Sequence, residues 1–288
     1  MQAAAATTIR STGMKRRLLP SLRSTIIAIG TSGVEAHRPP PTAIGAAATT
    51  SPPSFSSSTR RPGDGDPTKV FGDYAFWEGH YASQRASQAT HDEPFEWFLP
   101  YEGGLREHLL TFLESIPPCS RLLHVGCGTS EVGPKLAQEP DLSLHVTDTD
   151  NSPSAVSIMK QRYTSLDNYT CREMDVLNLD FPDGSFDAIV DKGTLDALLC
   201  RSVEDAHDMV AEMHRVLTKG GIYVQVAKED PEARLELLRG RGGFRREEKE
   251  KQQQGHLRHH QWRRSFFKEL GELGESAEAS YFMYVLIK

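Results

Sequence analysis

The chain has 288 residues, 38% of them hydrophobic and 25% charged, enough apolar content for the core of one large domain or two small ones. Its net charge of −6 is unevenly divided: residues 1–65 carry eight basic and two acidic side chains, and the remainder 25 basic and 37 acidic. An acidic body lacks the phosphate-neutralising footprint of a nucleic-acid binder, and the apolar run Ile26-Ile27-Ala28-Ile29 is far too short to span a bilayer, so neither nucleic acid nor membrane is an expected partner.

Residues 1–34 hold five basic residues and no acid. Leu18, Leu22 and Ile26 recur at i, i+4 and i+8, which gives a short helix one apolar face with Arg16, Arg17 and Arg23 around it. That is the composition of an organelle transit peptide, with a mitochondrial matrix address ahead of a plastid or cytoplasmic one. Pro39-Pro40-Pro41 and the Ser/Thr run behind it cannot repay ordering entropy. Residues 1–66 are therefore expected to be leader and linker, and 67–288 a single folded domain.

From residue 121 onward, short β-like runs at 121–125, 143–147, 169–173, 186–191 and 221–227 alternate with helical stretches such as 152–162 and 203–217. This alternation predicts βαβ units and right-handed crossovers. Ser152-Pro153 reads as an N-cap followed by proline at the first helical position, and Gly220-Gly221 as the stop of the preceding helix. Runs at 262–268 and 281–287, joined by a turn over 271–279, predict a closing hairpin. The fold class is thus α/β: a Rossmann-like, seven-stranded, mostly parallel sheet with helices on both faces and a C-terminal antiparallel hairpin. Residues 239–261 are expected to form a flexible basic insertion. Cys119, Cys127, Cys171 and Cys200 show neither C-x-x-C nor zinc spacing, so they are expected to be reduced packing thiols, with no metal site.

The strongest chemical signal is Leu122-Leu123-His124-Val125-Gly126-Cys127-Gly128, an apolar strand running into Gly-x-Gly. In an open parallel sheet this is the carboxyl end of the first strand, where a ligand can approach backbone that carries no Cβ. A dinucleotide fingerprint needs a third glycine at position 131, where Glu131 would repel a pyrophosphate, and no Gly-Lys-Ser/Thr follows. A nucleoside ligand without a diphosphate remains, and S-adenosyl-L-methionine fits. Asp150, 22 residues after Gly128 and next to Asn151, is placed to accept both ribose hydroxyls, with Asp148 the runner-up. Asp175 follows the third strand, where it can accept from the adenine amino group while Val176 packs on the ring.

The fourth strand ends in Asp191-Lys192-Gly193-Thr194-Leu195-Asp196-Ala197, and here the chain resembles the class I, seven-strand protein-lysine methyltransferases. Phe76-Trp77-Glu78-Gly79-His80-Tyr81 and Phe95-Glu96-Trp97-Phe98 are similar to two further segments of that branch. The resemblance implies S-adenosylmethionine as cofactor without a metal, and Trp77 and Tyr81 folded over it. It implies Gly126, Cys127, Gly128, Asp150, Asn151, Asp175 and Val176 around the cofactor, with Lys192 pairing the methionine carboxylate. Asp196 and Glu229 become the candidate catalytic acceptors for the amine. Two substrates compete. Gln225-Val226-Ala227-Lys228-Glu229-Asp230-Pro231-Glu232-Ala233-Arg234 and the Tyr281-Phe282-Met283-Tyr284 ending are similar to the branch that methylates mitochondrial citrate synthase. Met174-Asp175-Val176 and Thr194-Leu195-Asp196 are closer to the branch acting on a translation elongation factor. Citrate synthase is the expected partner. A small-molecule methyltransferase and a non-catalytic binding module are the rival readings.

Overall fold

The computed structural model describes residues 67–86, 94–228, 231–240, 261–271 and 280–288. The expected leader and linker, nearly all of the basic insertion, most of the 271–279 turn and Glu229 lie outside the described residues.

Seven strands form one sheet in the order β3-β2-β1-β4-β5-β7-β6. Five are parallel: β1 (Arg121–Val125), β2 (His145–Asp150), β3 (Tyr169–Glu173), β4 (Phe186–Lys192) and β5 (Leu217–Ala227). β7 (Tyr281–Ile287) inserts antiparallel between β5 and β6 (Arg264–Gly271). The sheet is thus mostly parallel with an antiparallel pair at one edge, as the strand pattern predicts. Alternate side chains of each strand feed two cores, so the central strands read as nearly unbroken apolar runs. On one face Leu122, Val190 and Val224 pack with α2 (Arg106–Leu113), α3 (Val132–Ala137) and α4 (Pro153–Arg162). On the other, Leu123, Ile189 and Tyr223 pack with α5 (Thr194–Arg201), α6 (Val203–Val216) and α7 (Pro231–Leu238). Ahead of the sheet, a 3-10 turn at Pro67–Gly72 leads into α1 (Tyr74–Ala86).

Local chemistry explains where the elements start. Ser152 caps α4 by accepting from Ala155 N–H at 3.1 Å, with Pro153 next, as its sequence announces. Ser202 does the same for α6. Gly193 has no side chain to cap α5, and the cap comes from Asp191: its Oδ1 accepts from Thr194 N–H at 2.9 Å, and its Oδ2 from the Tyr223 hydroxyl at 3.1 Å.

Three boundaries differ from expectation. β2 begins at His145, because Ser143 takes φ +49°, and it runs on through Asp150. Gly220-Gly221 is not a helix stop: α6 ends at Val216, Leu217 is already extended and paired with Phe186, and Gly220 lies inside β5. β6 starts at Arg264, two residues late, because the Trp262 indole turns away to donate to Leu238 O and stack on Tyr223.

Asp191→Ala strips the α5 cap and orphans a buried hydroxyl, and is expected to cost about 2–4 kcal/mol in urea denaturation. Asp191→Asn should cost less, since its amide oxygen keeps the cap. Burial raises the Asp191 carboxyl above its ordinary value, against the lowering pull of the Thr194 N–H and the Tyr223 hydroxyl. The wild type should therefore gain stability relative to Asp191→Asn as pH falls from that raised value toward about 3.9.

Candidate functional site

The first strand ends on two left-handed glycines, Gly126 at φ +55° and Gly128 at φ +51°. Shape as well as torsion demands them: a Cβ on Gly126 would collide with the Thr194 hydroxyl, and one on Gly128 with the Tyr81 hydroxyl. Cys127 N–H donates to Thr149 O at 3.0 Å, which locks the loop to β2. Asp150 then organises the floor. Its Oδ2 accepts from Gly128 N–H at 2.8 Å and its Oδ1 from Ser152 N–H at 2.9 Å, and each oxygen keeps a second lone pair for a ligand. Burial raises the Asp150 carboxyl, while these two N–H groups oppose that shift.

Asp148, the runner-up, serves the core. It lies 3.3 Å from His124 Nδ1 and accepts from the Tyr169 hydroxyl at 2.8 Å, all three buried. The Cys127 thiol donates to Gly128 O at 3.5 Å, and its interaction with the Cys171 thiol together with burial pushes it well above its ordinary value.

Residues 67–86 and 94–98 roof the loop. Trp77 is stacked with Tyr81 and makes an edge contact with Trp97, while its indole N–H donates to Phe71 O at 2.7 Å. Two carboxylates pin this roof. Glu78 on α1 accepts from the Ser152 hydroxyl at 2.5 Å and the Ser154 hydroxyl at 2.6 Å. Glu96 accepts from the Ser130 hydroxyl at 2.8 Å, from Glu131 N–H at 2.7 Å and from the Lys192 ammonium at 2.7 Å.

Between floor and roof lies a cavity of about 970 Å³, open to solvent. Trp77, Tyr81, Gly126, Cys127, Asp150, Asn151, Asp175, Val176 and Lys192 all line it. Gly128 does not: it sits under the Tyr81 hydroxyl and acts through its N–H to Asp150. Lys192 reaches the wall, but its ammonium is engaged by Glu96 and by Trp97 O at 2.8 Å, with 2% of the side chain exposed. Two of the three ammonium hydrogens are thus directed to partners within the chain. Asp196 is absent from the lining. Thr194, Ala197, Leu198 and Arg201 form the cavity face of α5 at helical spacing, and Asp196 falls off it, paired with Arg234 of α7 at 2.8 Å. The Asp175 Oδ1 accepts from Leu177 N–H, so one of its oxygens serves a turn.

Sequence reasoning missed Phe71, Tyr74 and Phe95 in the roof, His124 in the floor and Arg201 at the wall. The aromatics cluster in one segment, a signal that was available. Nothing in the sequence marks His124 as more than a strand residue.

The methyltransferase domain family matches residues 123–225. N-methyltransferase NodS from Bradyrhizobium japonicum superposes with a TM-score of 0.50 at 16% identity, over 72% of this chain and 98% of that one, a likeness of fold. The fold is that of the class I methyltransferases. EEF1A lysine methyltransferase 4 of Mus musculus is 31% identical over 176 residues, which is 56% of this chain and 65% of that relative, just under two thirds of its length. The Homo sapiens protein named citrate synthase-lysine N-methyltransferase CSKMT, mitochondrial, is 30% identical over 203 residues, 65% of this chain and 83% of the relative. The chain belongs to the S-adenosylmethionine-dependent protein-lysine methyltransferase family.

Gly128→Ala is expected to lower stability by about 1–3 kcal/mol through backbone strain and the clash with Tyr81. Adding Tyr81→Phe should restore only part of that in thermal melts, because the positive φ remains.

Proposed function

We propose that this protein transfers a methyl group from S-adenosylmethionine to the ε-amine of a lysine in citrate synthase, within the mitochondrion. The observation that carries the cofactor assignment is the Asp150 carboxylate. It is buried beneath the Gly-x-Gly loop, oriented by two backbone N–H groups, and faces a cavity roofed by aromatic rings. Such a site suits a ribose diol and an adjacent cation, and the aromatic faces of Trp77 and Tyr81 suit a sulfonium. Asn151, Asp175 and Val176 would hold the adenine. Bound there, S-adenosylmethionine supplies a methyl group on a positively charged sulfur.

The chain's own residues have three tasks. Asp150 and the glycine loop orient the donor, an entropic contribution rather than a chemical one. The aromatic roof covers one side of the donor and leaves the open mouth of the cavity for the amine. The acceptor lysine must arrive neutral, which at pH 7 costs roughly 4.6 kcal/mol against its ordinary pKa, and a neighbouring cation lowers that cost. Glu229, two residues beyond β5, is the candidate for holding the amine's remaining hydrogens. The choice of citrate synthase over an elongation factor is supported by the longer match to the CSKMT relative and by the basic leader.

Asp150→Ala is expected to reduce S-adenosylmethionine affinity by at least about 100-fold in calorimetry, since two ribose hydroxyls lose their acceptor. Wild-type protein incubated with labelled S-adenosylmethionine should label a lysine of purified citrate synthase. Label on elongation factor 1A alone would reassign the substrate, and label on neither would defeat the proposal.

A further inference from the structure

Trp77 and Tyr81 reach the cavity from α1, so roof closure depends on how α1 is held. Glu78 lies between them in sequence, and its carboxylate spans to the first turn of α4, taking the hydroxyls of Ser152 and Ser154 together with the Ser154 N–H at 3.4 Å. Ser152 is the junction. Its hydroxyl donates to Glu78 and accepts from Ala155 N–H, while its own N–H donates to Asp150 Oδ1. One fully buried serine thus links the roof helix to the carboxylate on the cavity floor.

The second clamp is of a different kind. Glu96 faces a buried ammonium, a hydroxyl and a backbone N–H, and Lys192 additionally grips Trp97 O. Parting a buried ion pair leaves two unpaired charges, whereas parting Glu78 from two serines exposes groups that water can satisfy. The clamps are unequal, and the Glu78 side is the one that opens at lower cost.

We propose that Glu78 is a positioning residue that sets how long the nucleoside cofactor and its demethylated product stay bound, by latching α1 to the serine that also orients Asp150. This rests on the cofactor reading above. Because the serine that Glu78 latches also orients the Asp150 carboxylate on the cavity floor, a filled cavity and a closed roof reinforce one another, and escape requires the latch to part first.

The test is a chase experiment on the full chain: labelled S-adenosylmethionine is bound, then displaced by excess S-adenosylhomocysteine, and loss of label is timed. Glu78→Ala should speed release about tenfold, the scale of one lost charge-assisted hydrogen bond, with the association rate changed less than about twofold. Ser154→Ala, a milder change that leaves the α4 cap intact, should speed it about threefold. A purely structural role would lower the thermal midpoint of the ligand-free protein and leave the release rate alone. Unchanged release in both variants overturns the proposal while leaving the cofactor reading standing. A wild type that never binds the label overturns both.

Discussion

Glu96 is the point through which the cavity is assembled. Its carboxylate receives the Lys192 ammonium from the end of β4, the Ser130 hydroxyl from the glycine loop and the Glu131 N–H at the entry to α3. The end of β4 and the glycine loop with the α3 entry behind it, remote in the chain, are fixed relative to one another by a single side chain, and the roof is carried along, because Trp97 follows directly. The position also has an electrostatic consequence. Backbone N–H groups behind a glycine loop are where a nucleotide-binding fold receives phosphate. Here the chain's own carboxylate receives one of them, and the site is thereby committed to a ligand without a diphosphate.

Several charged residues of the sequence motifs are paired within the fold. Lys192 holds the roof, and Asp196 is matched to Arg234, whose side chain is fully buried. That pair joins the segment after β4 to the segment after β5, so two motifs with separate sequence identities act as one brace. Breaking such a pair would leave an uncompensated buried charge. Asp191 belongs to the same group, as a cap supplied from three residues upstream where glycine occupies the usual position.

The floor follows a different logic. His124, Asp148 and Tyr169 form a polar network inside an otherwise apolar face, with Asp148 packed against the backbone of α3 at Gly133, where a Cβ would collide with it. Buried networks of this kind are costly unless satisfied and rigid once they are. Its effect is to tie β1 and the first residue of β3 to β2 two residues before Asp150. The rigid floor and the two-clamp roof divide the labour: one defines where a ligand sits, the other how it enters and leaves.

What the sequence determined by itself was local. The strand periods, the Ser152-Pro153 cap and the Gly-x-Gly turn follow from interactions within a few residues, and the carboxylate that the sequence puts beyond the second strand is in fact the last residue of β2. Tertiary structure decided the partners of the long charged side chains. Lys192 and Glu96 are 96 positions apart, and Asp196 and Arg234 are 38 apart. A flexible ammonium or guanidinium takes whichever carboxylate packing brings within reach, and residue type carries no record of that choice. The same holds for His124, whose neighbours come from β2 and β3. Local conformational preference is written along the chain, whereas charge pairing is settled only when the sheet closes and removes water from between the groups.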